Sequence, residues 1–226
     1  MKMDKIPTSL SYGYYRIAQQ GLGYILSASN YGKIVLGYKR NRIENFTLEM
    51  GALFMAVNYN FRHALEISMK GLLDENNQSI PNTHKLTDLL SIIETEFYNK
   101  RLLSDDLWMA WEWLIKKYSE YDPYANADGK NELSRFMVSA KRDKRFAYAD
   151  IHRLKRKDLD VFLRDIKTEK NLTHRMESEI QTRNAYLNNG WDLPTKPFSK
   201  TIICKSKTGY YTRQRKGVYK SKMLDT

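Results

Sequence analysis

The stretch that decides the fold is Phe46–Leu73, FTLEMGALFMAVNYNFRHALEISMKGLL. Met50, Leu53, Phe54, Val57, Phe61, Leu65 and Leu72 recur at three- and four-residue steps, the spacing of one helix face. Met55, Tyr59, Ile67 and Met69 widen that face, so the sequence predicts a central helix covered on more than one side. Its polar residues are ordered too. Asn58, Arg62, Glu66 and Lys70 step by four, with His63 beside them. Two readings stand for this stripe. One is a wet edge held by Arg62–Glu66 and Glu66–Lys70 pairs, each contributing a few tenths of a kcal/mol. The other is a candidate cleft lined by Arg62, His63 and Glu66.

Outward from this helix, the same periodicity predicts four more. Residues 8–31 carry Leu10, Tyr14, Ile17, Ala18 and Leu22 on one stripe, interrupted by Gly13, Gly21 and Gly23. Such glycines weaken a helix or let another helix approach closely. Residues 32–45 read as a connection. After a turn at Pro81, Asn82 or Thr83 is the expected N-cap of a helix bearing Leu86, Leu89, Leu90, Ile93 and Phe97. Ser104 is the expected cap of the next, whose Leu107, Trp108, Trp111, Ile115 and Tyr118 face one way. Clustered tryptophans can stack on bases, but at helical spacing they read first as core. Trp113 points off that stripe. Residues 121–149 read as an irregular connection. A last helix over 150–187 carries Leu159, Phe162, Leu163, Ile166, Met176 and Ile180, and its stripe fades at 167–173, where a kink is expected.

The fold class expected is all-α, an up-and-down bundle of about five helices over residues 1–190. A basic extension follows over 191–226, in which TIICKSKTGYYTRQ predicts a small hairpin turning at Lys207–Gly209. An isolated hairpin is marginal in water and needs packing or a partner.

Net charge is +12 over 226 residues. Residues 192–226 carry nine Lys/Arg against two Asp, and residues 130–157 carry ten against three acids. Two basic zones point to a polyanionic partner such as RNA. Lys141, Arg142, Lys144, Arg153, Lys155, Arg156 and Lys157 are the candidate RNA contacts of the first zone, and Arg213, Arg215 and Lys216 of the second. The single cysteine, Cys204, excludes an internal disulfide. No apolar run is long enough to span a bilayer and no secretory signal is visible, so a cytoplasmic protein is expected. No zinc spacing, Gly-rich phosphate loop or nucleophile elbow occurs, so no metal or cofactor is expected.

Two segments carry a family resemblance. RHALEISMKGLL followed by NTHKLTDLL resembles the HEPN superfamily of small helical bundles, through Glu66, Lys70, Leu72 and Leu73 and then His84 and Leu86. ELSRF, Glu132–Phe136, is similar to an Arg-Tyr-Pro-like stretch of some branches, with Met137 in place of the proline. The resemblance covers about residues 45–187. It implies one of two roles. Many such proteins are metal-independent endoribonucleases of toxin–antitoxin or phage-defence systems, in which an Arg and a His with four to six residues between them meet across a homodimer. Others bind RNA, nucleotides or a protein partner without catalysis. Arg145 and His152 fit that spacing, with Phe146 where active members often carry a polar residue. The resemblance makes His152 the acid–base group and Arg145 the phosphate contact. Reading the residues alone, the pair is equally part of a basic surface. A non-catalytic RNA-binding module and a helical adaptor for a cognate protein partner remain the alternatives.

Overall fold

The computed structural model describes residues 7–36, 48–119, 156–193, 201–206 and 209–214. Among them are five helices: α1 Leu10–Leu36, α2 Leu48–Glu75, α3 Leu86–Ile93, α4 Asp105–Ser119 and α5 Arg156–Asn188. α3 widens into a π-helical turn at Glu94–Tyr98 before ending. β1 Thr201–Ser206 and β2 Gly209–Gln214 form an antiparallel hairpin, with Ser206 paired to Gly209. The chain is thus an all-α bundle carrying one small hairpin.

Contacts between helices give their directions. Gly71 near the end of α2 meets Thr8, and Gly21 of α1 meets Leu53 and Val57, so α1 and α2 are antiparallel. α4 runs against α5, because Tyr118 meets Asp165, Trp111 meets Glu169 and Ser104 meets Glu179. α2 and α5 run the same way: Phe54 and Phe61 pack on Phe162, and Asn76 meets Asn184.

α2 is the central element that its sequence predicts. Phe54, Val57, Phe61, Ala64, Leu65, Met69, Leu72 and Leu73 are buried. Burying each large side chain of this kind contributes about 1.5–3 kcal/mol. Phe61 is shared by three layers, meeting Tyr15, Tyr118 and Phe162 at ring distances of 6.1, 4.9 and 5.5 Å. On α4, Leu107, Trp108, Trp111, Ile115 and Tyr118 are core residues.

Four local expectations change. α1 runs on to Leu36, through part of the stretch read as a connection. Lys85 rather than Asn82 or Thr83 precedes α3. Thr83 still serves that end, accepting from Lys85 N at 3.1 Å and donating to Asp88 at 3.2 Å. Ser104 stands just before α4 as expected, its carbonyl accepting from Trp108 N at 2.9 Å, but its hydroxyl goes to Glu179 at 3.0 Å, tying the start of α4 to α5. Finally, α5 continues unbroken through 167–173. Its stripe fades because polar residues take the inward positions there, and α1 and α4 supply donors to Glu169 among them, as described below.

Gly21 is needed for packing. A Cβ there would lie 2.6 Å from Val57 Cγ2. At Gly71 it would lie 2.8 Å from the Thr8 backbone. That close approach lets Glu75 Oε1 accept from both Thr8 N and Thr8 Oγ1, at 2.7 and 2.8 Å, and anchors the start of α1.

Candidate functional site

The polar stripe of α2 divides on folding. Asn58 and Arg62 are buried, at 1% and 3% exposure, so this half is not a wet edge. Arg62 Nη1 donates to the carbonyl of Tyr118 at 2.7 Å, a charge-assisted bond to the end of α4. The Glu66–Lys70 pair forms at 2.8 Å, but Glu66 does not pair with Arg62. It meets His84 Nδ1 at 2.9 Å across the α2–α3 turn, and His63 Nδ1 at 4.0 Å. His63 also packs against Tyr14 edge-on at 4.6 Å and lies parallel to Tyr59 at 5.7 Å. Of the three cleft candidates, Arg62 therefore faces α4, while His63 and Glu66 gather His84 and Lys70 at the surface. Glu66 fixes the Nδ1 side of His84, whose side chain is 75% exposed. In the sequence His84 figured only among the residues that carry the family resemblance.

The second constellation is a buried polar seam along α5. Asp165, Glu169 and Thr173 are fully buried, and Thr168, Arg175, Glu179 and Arg183 nearly so. Glu169 is its centre. Its Oε1 accepts three hydrogen bonds, from Trp111 Nε1 of α4 at 2.9 Å, Thr173 Oγ1 at 2.9 Å and Tyr15 OH of α1 at 3.2 Å. Its Oε2 is buried with no partner among the described residues. Burial pushes the Glu169 carboxyl up from 4.5 to about 7, against the pull of those three donors. Tyr15 is held neutral for the same reason, burial first and the neighbouring carboxylate second.

One turn earlier, Asp165 Oδ2 accepts from Tyr118 OH at 2.9 Å and from Lys117 Nζ. Lys117 lies over the rings of Trp113 and Tyr118, at 5.2 and 5.3 Å. Farther along, Arg183 donates to Glu179 Oε1 through Nε and Nη2, at 3.0 and 2.8 Å, and to the carbonyl of Arg101 at 3.1 Å. The seam joins α1, α4 and α5 and meets no solvent at Glu169, so it holds protons and geometry rather than substrate. Its signal in the sequence is that Asp165, Glu169 and Thr173 continue the inward spacing set by Phe162 and Ile166.

The third feature is the hairpin. Tyr210 packs edge-on against Trp113 at 5.8 Å, and Asn171 donates to Thr212 Oγ1 at 2.9 Å. Ile203 and Tyr210 are half-buried on the bundle. The tail's marginal hairpin is thereby held in place by α4 and α5, and Trp113 serves as its dock.

Lys141, Arg142, Lys144, Arg145, His152, Arg153 and Lys155 lie outside the described residues, as do Arg215 and Lys216. Arg156 and Lys157 are the first two residues of α5, and Arg213 is in β2. His174, the remaining histidine, is exposed, with Nδ1 3.4 Å from Tyr12 OH. Among the described residues no group of three or more His, Cys, Asp or Glu side chains is placed to hold a metal ion. No helix among them is long and apolar enough to cross a membrane. In comparisons with known proteins, no family model, no curated protein and no solved structure matches the chain.

Proposed function

We propose that this chain is an RNA-directed protein of HEPN type, working as a homodimer in a defence or toxin–antitoxin setting. The observation that carries the RNA reading is where the tail is attached. Within the segment that carries nine Lys/Arg against two Asp, strand β2 is pinned to α5 at Asn171 by Thr212, and to α4 at Trp113 by Tyr210. The other basic zone ends in Arg156 and Lys157, the first residues of that same α5. Fifteen residues at 1.5 Å each separate Arg156 from Asn171, about 22 Å along one rigid helix. Both zones can then engage one polyanion, with phosphate contacts setting affinity.

The test is binding of single-stranded RNA by the whole protein across a salt series. Log affinity should fall linearly with log salt, at a slope of about −0.7 per phosphate neutralised. Removing residues 192–226 should weaken binding and flatten the slope. An unchanged dissociation constant after that removal refutes the reading. On this reading Arg145 and His152 supply metal-independent cleavage, with His152 moving the proton and Arg145 steadying the phosphate. RNA cut in the presence of EDTA, and spared by His152→Ala, supports it. Tight binding without cutting leaves the non-catalytic RNA-binding role.

A further inference from the structure

Many cations of the bundle are matched: Lys70 meets Glu66, Lys116 meets Glu112 and Lys117 meets Asp165. Arg16 of α1 and Lys167 and Lys170 of α5 have no acidic partner among the described residues. Arg16 and Lys167 are exposed, and Lys170 is half-buried with Nζ 5.4 Å from the centre of the Tyr12 ring. These three belong to one seam. α1 and α5 run antiparallel, since Tyr12 OH lies 3.4 Å from His174 Nδ1 and Tyr15 OH lies 3.2 Å from Glu169. Arg16 follows Tyr15 and is one turn from Tyr12, so it stands level with Lys167 and Lys170. The nearest acids on α5 do not offset them. Glu177, beyond the row, is turned to Tyr12 and lies 3.8 Å from His174, and exposed Asp160 comes seven residues before Lys167. Like charges one turn apart weaken a helix. Lys85 and Arg101, also unmatched among the described residues, stand apart on the connections into and out of α3.

We propose that the α1–α5 seam is a phosphate-binding row, along which RNA passes from one basic zone of the chain to the other. It rests on the RNA reading above and adds Arg16, Lys167 and Lys170 to the contacts of that reading. Three features favour a linear polyanion. First, the row is continuous with both zones. Arg156 and Lys157 open the same helix, and Asn171, next to Lys170, holds the hairpin of the basic tail through Thr212. Lys157 and Lys170 are then about 20 Å apart along one helix axis. Second, the row is narrow, one cation of α1 against two of α5, whereas a membrane surface attracts a broad basic face. Third, these side chains have no internal ion pair to break. Each can neutralise a phosphate and release its counterion without losing a contact of the fold.

The test is the salt dependence with which the whole protein binds a single-stranded oligouridine. Arg16→Gln, Lys167→Gln and Lys170→Gln together should weaken binding and flatten the slope of log affinity against log salt by about 2, at about 0.7 per phosphate contact. Arg16→Gln with Lys167→Gln, both at exposed residues, leaves the Lys170–Tyr12 contact in place and should flatten it by about 1.4. Removing the same charge elsewhere, by Lys85→Gln, Lys100→Gln and Arg101→Gln, should leave the slope as it was. A slope unmoved by the first two sets, or moved as much by the third, overturns the proposal. The RNA reading itself then stands if removing residues 192–226 still weakens binding. A wild type that binds no RNA at any salt overturns both. So does one that uses these three residues to bind phosphatidylserine vesicles and binds no RNA.

Discussion

Replacing Glu169 by glutamine isolates the effect of one buried proton. In the folded chain burial holds this carboxyl at about 7, against 4.5 for the ordinary group. Between those values the folded protein keeps a proton that the unfolded chain releases. Stability from this group is therefore fully present below about pH 4.5 and falls as pH rises through about 7. Each pH unit between those limits costs about 1.4 kcal/mol. Allowing for partial titration at both ends, the loss between pH 5 and pH 8 is about 2–3 kcal/mol. Glutamine keeps a carbonyl oxygen for Tyr15, Trp111 and Thr173 but cannot ionise. It also places an amide where Oε2 has no partner, at about 1–3 kcal/mol, a penalty that does not vary with pH. The assay is urea unfolding of both proteins at pH 5, 6, 7 and 8. Other carboxylates cancel in the difference. The stability difference, wild type minus variant, should fall by about 2–3 kcal/mol from pH 5 to pH 8. A difference that stays constant would falsify the reasoning, because it would mean that Glu169 ionises alike in both states.

Three further outcomes follow from particular contacts. Gly71→Ala drives a methyl into the Thr8 backbone at 2.8 Å, and should destabilise by about 1–3 kcal/mol, with amide exchange quickening first at the start of α1. Trp113→Ala removes the dock of Tyr210, so hydrogen exchange should lose protection over 201–214 while the helices keep theirs. Arg101 has φ 58°, where its Cβ is crowded, yet its contact with Arg183 uses only the backbone carbonyl. Arg101→Gly should therefore leave stability unchanged or raise it by up to about 1 kcal/mol, read from the urea midpoint.

The helices were legible because their signal is local. The spacing of Leu107, Trp108, Trp111, Ile115 and Tyr118, or of Leu86, Leu89, Leu90 and Ile93, marks an inward face, whereas the stripe read on α1 is split, with Ala18 and Leu22 buried but Leu10 and Ile17 exposed. The hairpin was legible from its strands and turn, and its need of support from the weakness of isolated hairpins. The supporting residue was visible only as an oddity, Trp113, off the stripe of its own helix. The polar groups were read less well, because a polar side chain is buried only where distant donors or acceptors meet it. The expected kink in α5 came from the fading of its apolar stripe over 167–173, where Glu169 and Thr173 stand in place of apolar residues. They point inward because Tyr15 and Trp111, 154 and 58 residues away in sequence, converge on one carboxyl oxygen.

By itself, then, the sequence determined that this chain forms a helical bundle around Phe46–Leu73, with its charge gathered in two zones. Periodicity and composition are properties of neighbours along the chain. Only the tertiary structure decided which charges go inside. Arg62 is buried because the end of α4 presents a carbonyl to it, and Glu66 faces His84 because the α2–α3 turn folds back. Glu169 is buried because three helices enclose it, two of them supplying donors from Tyr15 and Trp111. These are long-range pairings, set by where helices cross, and no spacing along the chain encodes them.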